Sequence, residues 1–156
     1  MASLSALPNG GNPLPTGFSP PDYPAYLYCQ LNFLRNAIRI NLLDEAQQCL
    51  HALEALPLDS LSDKAYRTDL FMTIARLYIQ KYDFLRANEY LYRTLRLLDP
   101  NQSQDFKKLG DAHSNLAHNL SIMRLKASAQ AEIQQAEFFL EKRLILQMIP
   151  NLSGCT

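Results

Sequence analysis

Nothing in this 156-residue chain is in surplus by charge: 15 Lys+Arg stand against 15 Asp+Glu, so the formal net charge is zero. A surface that neutralises nucleic-acid phosphates needs an excess of Lys/Arg, as does a polybasic membrane anchor, and neither composition is present. No uncharged apolar stretch approaches the roughly 20 residues that span a bilayer, which argues against membrane insertion. The opening MASLSALPNGG has no cationic patch and no apolar run, so no secretory signal is expected. Residue 2 is Ala and the last four residues are SGCT, so the patterns for myristoylation and prenylation are missing. Cysteines number three (Cys29, Cys49, Cys155), an odd and widely spaced set. They read as reduced thiols of a cytoplasmic protein, two of them small core residues. Catalytic signatures are also scarce. No Cys-x-x-Cys, Gly-rich phosphate loop, nucleophile elbow or His-Glu-x-x-His occurs. His113 and His118 are five residues apart, which places them about 140° apart around a helix and on no common ligand face. The expectation is a protein that is no enzyme and holds neither metal nor cofactor.

What the chain does contain is helix. Residues 1–24 hold six of the nine prolines and three of the five glycines, and are expected to form an extended tail. From Tyr26 to Met148 only Pro57, Pro100 and Gly110 interrupt, and apolar residues recur at three- and four-residue spacing, as in LFMTIARLYI (70–79). No run alternates with period two, so the fold class is all-α. Punctuation divides residues 25–149 into six helices. They span about 25–41, 44–56, 62–80, 83–98, 103–124 and 126–147, with Pro57 and Asp99-Pro100 as stops and Ser62 or Asp63, then Asp83, as N-caps. Residues 150–156 should fray. Short links within pairs force antiparallel neighbours.

Helices three and four overlay five and six at an offset of 42 residues. Ala75 falls on Ala117, Ala87 on Ala129 and Thr94 on Ala136, with Ile74 on Leu116 and Leu91 on Ile133. Small side chains at such positions let paired helices approach closely while bulky neighbours fill the grooves beside them. This pattern resembles the tetratricopeptide repeat, which Phe71, Ile74, Ala75, Tyr78, Ala87, Leu91 and the Asp99-Pro100 stop fit well. The later unit departs from it at His113 and Leu120. A first, weaker unit has Phe33, Ala46 and Leu53, but Leu34 stands where a small residue belongs, against close approach of its two helices. A period of 41–42 exceeds the usual 34, similar to the extended repeats of kinesin light chains and bacterial sensor proteins.

The resemblance implies three antiparallel hairpins stacked as a right-handed superhelix, working as a protein-binding adaptor or scaffold. In that family the first helix of each hairpin lines a concave groove. The groove residues it implies here are Leu31, Arg35 and Ile38, then Met72, Arg76 and Ile79, then Ser114, His118 and Ser121. They give an apolar floor beside a cationic row, suited to an acidic-hydrophobic peptide or a partner helix. The family's clamp for a C-terminal carboxylate needs lysines that are absent here, although Asn32 and Asn115 are in place. The other architecture that six antiparallel helices allow is a closed bundle serving as a structural or assembly subunit. Two further features point to partners. Pro20-Pro21-Asp22-Tyr23 matches the P-P-x-Y pattern that WW domains bind. The sixth helix, rich in Phe138, Phe139, Leu140, Leu144, Ile145, Leu146, Met148 and Ile149, is apolar on more than one face and suits self-association.

Overall fold

The structure, a computed structural model, describes residues 23–152 other than 57, 59, 60 and 62. Among the described residues it contains no strand and six α-helices: α1 (Tyr23–Arg39), α2 (Leu43–Glu54), α3 (Lys64–Gln80), α4 (Phe84–Leu97), α5 (Phe106–Ile122) and α6 (Lys126–Leu152). The chain divides into two compact units, one ending at Lys81 and one beginning at Tyr82.

Helix ends follow local chemistry. Asp63 caps α3 by accepting from the Tyr66 amide at 3.0 Å, and Asp83 caps α4 by accepting from the Arg86 amide at 3.2 Å. α1 begins two residues earlier than expected, with Pro24 inside its first turn. A proline there loses only an N–H that would have no intrahelical acceptor. The expected start of the fifth helix at Ser103 is instead a 3₁₀ turn, Ser103–Asp105. The Asp105 carboxylate reaches back to the Asp99 amide (2.9 Å), while Asp99 Oδ1 accepts from the Asn101 amide (2.9 Å). That loop chemistry holds the chain out of α-geometry until Phe106. At the other end α6 does not stop near Gln147 but runs through Pro150 to Leu152. A proline removes one backbone bond there without unwinding the turns that precede it.

The links after α1, α3 and α5 share one conformation. Asn41, Tyr82 and Arg124 take left-handed φ values of 61°, 59° and 61°. They are 41 and 42 residues apart, the period that the side chains show. After α1, the Leu42 amide donates to the Ala37 carbonyl and the Asn41 amide to the Ile38 carbonyl. After α5, Leu125 donates to Leu120 and Arg124 to Ser121. Each pair closes a helix C-terminus with a left-handed residue and turns the chain back within three residues.

In the first unit α1 buries a stripe of Leu27, Leu31, Leu34, Ala37 and Ile38. α2 meets it with Ala46, Cys49, Leu50 and Leu53. Leu34 does not hold these helices apart: the Cys49 thiol reaches within 3.5 Å of the Gln30 backbone carbonyl. The close approach is made by small residues on α2, Ala46 and Cys49, both fully buried. α3 lies across the pair. Tyr66 donates to the Leu27 carbonyl (2.9 Å), Arg35 pairs with Asp69 (3.1 Å) and Lys81 donates to Gln47 (2.7 Å). Numbers rise together along α1 and α3 and run oppositely along α2 and α3, so α3 is parallel to the former and antiparallel to the latter.

In the second unit α5 and α6 form an antiparallel hairpin. Leu98, Phe106, Leu109 and Phe139 make its apolar cluster. His113 stacks on Phe139 with ring centroids 5.8 Å apart and meets the Glu132 carboxylate at 2.6 Å, filling with polar and aromatic contact a position that is bulky and apolar in the repeat pattern. Ala117 and Ala129 are each 5% exposed, so both methyls are inside. Between α4 and α5, Asn119 (0% exposed) donates to Asn88 Oδ1 at 2.8 Å, and the Asn88 amide reaches the Met123 sulfur at 3.8 Å. Asn119 Oδ1 has no hydrogen-bond partner among the described residues.

Two glycine exchanges test these packing and turn arguments in opposite directions. A Cβ on Gly110 would come within 2.7 Å of Leu140 Cγ and Cδ2, so the Leu140 side chain must be displaced to admit it. Gly110→Ala therefore lowers stability by about 1 kcal/mol, although alanine gains about that much in helix propensity. Arg124→Gly removes the cost of a left-handed non-glycine residue and raises stability by about 0.5–1 kcal/mol. Thermal melts are expected to move down by a few degrees in the first variant and up in the second.

Candidate functional site

In the second unit, one face of the α5–α6 hairpin carries an open groove of about 400 Å³. Ser114, Ala117, His118 and Ser121 line it from α5, and Ile133, Ala136, Glu137 and Leu140 from α6. Its origin is local. Ser114, Ala117, Ser121 and Ala136 are too short to fill the space between helices whose other faces are held together by His113, Glu132, Phe106 and Phe139. Its floor is apolar, and its two walls carry one titratable group each, the exposed His118 on α5 and the exposed Glu137 on α6.

Ser114, His118 and Ser121 are thus brought together on one open face of α5. The sequence pattern did not supply the opposite wall. Ala136 was legible only as a packing residue, and nothing in its spacing shows that one side of α6 stays uncovered. In the first unit the expected site residues separate. Leu31 and Ile38 are each 1% exposed and belong to the α1–α3 core, which corrects their expected place in a ligand groove. Their spacing does mark one face of α1, but α3 covers that face. Arg35 is exposed yet committed to Asp69 at 3.1 Å, so the expected cationic row loses one free charge. On α3, Arg76 is exposed, while Met72 and Ile79 are half-buried. Pro20 and Pro21 lie outside the described residues, and of Tyr23 only the backbone, in the first turn of α1, is described.

Among the described residues no group of three or more His, Cys, Asp or Glu side chains could hold a metal ion, and no helix is long and apolar enough to cross a membrane. Cys49 is buried and Cys29 exposed, so only one of these two thiols is a core residue. Comparison with protein-family models, with curated proteins and with solved structures finds no match.

Burial pushes the Cys49 thiol up to about 12, because the thiolate would lose its hydration. At pH 8 only about one molecule in ten thousand carries that thiolate. In a Cys155→Ser background, maleimide at pH 8 is expected to label Cys29 in the native protein and Cys49 only after denaturant is added. Mass spectrometry of the labelled peptides reads the order.

Proposed function

We propose that this chain is a non-enzymatic, cytoplasmic protein-interaction module that receives a helix or peptide in the groove between α5 and α6. A tetratricopeptide-like array of three hairpins is the architecture that goes with this reading. It draws support from the left-handed links at Asn41, Tyr82 and Arg124, which repeat with the side-chain period. The observation that carries the functional reading is the convergence of Ser114, His118 and Ser121 on one open groove with an apolar floor. Short side chains there leave room for the bulky anchors of an incoming helix, the usual way an amphipathic segment is held.

A second reading, a structural subunit that self-associates through α6, is favoured by the end of that helix. α6 has 27 residues against 17 in α5, and Leu144, Ile145, Leu146, Met148 and Ile149 are 43–62% exposed. So much exposed apolar surface on one helix end is a docking feature.

A photo-crosslinking amino acid at Ser121, compared with the same residue at exposed Glu45 on α2, tests the groove in the native cell. The expected result is an adduct at Ser121, absent from Glu45, whose crosslinked peptide has apolar residues at helical spacing. An adduct to a second copy of this chain would favour the assembly reading. Identical adducts at both sites, or none at Ser121, remove the groove from the function.

A further inference from the structure

The hairpins α1–α2 and α5–α6 correspond residue for residue at an offset of 83, and this correspondence carries the left-handed Asn41 onto Arg124 and Ala46 onto Ala129. It also carries Leu31, Leu34 and Ile38 of α1 onto Ser114, Ala117 and Ser121, and Leu50 and Leu53 of α2 onto Ile133 and Ala136. All five residues of the first hairpin are at most 1% exposed, in the unit where α3 packs on the pair. Their counterparts form the open groove. Among the described residues, one hairpin therefore shows what the other lacks: a helix lying antiparallel to the second helix of the pair.

Charge and length define that missing helix. The groove face of α6 continues from Ile133, Glu137 and Leu140 through Leu144 and Met148, all at three- to four-residue spacing on one side of the helix. Leu144 and Met148 are 57% and 62% exposed, so this strip stays open over roughly four turns, about 24 Å. Along its outer edge stand Glu137 and Glu141, both exposed. A helix that sets Lys or Arg beside this acidic edge gains opposite-charge contacts that a helix with Glu there does not. We propose, resting on the groove reading above, that the occupant is a basic amphipathic helix of a different protein. It presents bulky apolar residues at i, i+3/i+4 and i+7 to the groove and Lys or Arg to Glu137 and Glu141, and it runs antiparallel to α6.

The test uses the full chain and three synthetic helices of about 18 residues with the same leucine stripe. One carries Lys along the flank, one Glu, and one has the Lys-flank composition in scrambled order. Binding is read by fluorescence anisotropy. The Lys-flanked helix is expected to bind at micromolar concentration and the others at least about tenfold more weakly. Glu137→Lys/Glu141→Lys, at exposed positions that leave the fold intact, is expected to invert the preference between Lys and Glu flanks. Ser121→Trp, which fills the groove, is expected to abolish binding, with circular dichroism confirming unchanged helicity. Equal affinity for Lys and Glu flanks, still blocked by Ser121→Trp, overturns the basic partner while the groove stands. Binding that Ser121→Trp leaves untouched overturns both. Self-association in sedimentation that Leu144→Glu disperses would overturn the foreign partner in favour of a second copy.

Discussion

A link of three residues with one of them left-handed leaves two helices only one way to go, back alongside each other. After α1 and after α5, the same pair of backbone hydrogen bonds ties off the helix end and points the chain into the reverse direction. The two helices then meet at a fixed height, so the residues facing each other near the link cannot vary freely in size. Ala46 and Cys49 satisfy that limit against α1, and Ala117 and Ala129 do so between α5 and α6. The close pairing of helices in both hairpins follows from this reversal.

Much of the helical plan could be read from punctuation. α3 ends at Gln80 and starts beside its Asp63 cap as the pattern implies, and α4 sits behind Asp83. The misses share a cause, in that the residue responsible acts through something other than its own propensity. Pro24 is tolerated because of where it stands in the first turn, and the Ser103–Asp105 turn exists because two aspartates bond to backbone amides nearby. The left-handed links at Tyr82 and Arg124 were invisible because Tyr and Arg are not residues that announce such a turn.

The site was half legible for a related reason. Spacing fixes which residues share a helix face, and it grouped Leu31 with Ile38 as correctly as Ser114 with Ser121. It does not say what lies against that face. In the first unit α3 does, and large aliphatic side chains are the chemistry of a covered surface. In the second unit serines and alanines occupy the matching places and leave a hollow. Size at equivalent positions was the available signal: leucine and isoleucine on one helix, serine on the other.

The buried amides of Asn88 and Asn119 add a constraint of another kind. Apolar packing between α4 and α5 would tolerate a slip of one helical turn, about 5.4 Å, with new leucines replacing old ones. The asparagines would not, because each would then be stranded among hydrocarbon with no donor or acceptor opposite. They act as a detent: α4 can rock against α5 or peel away from it, but it has a single notch in which to seat.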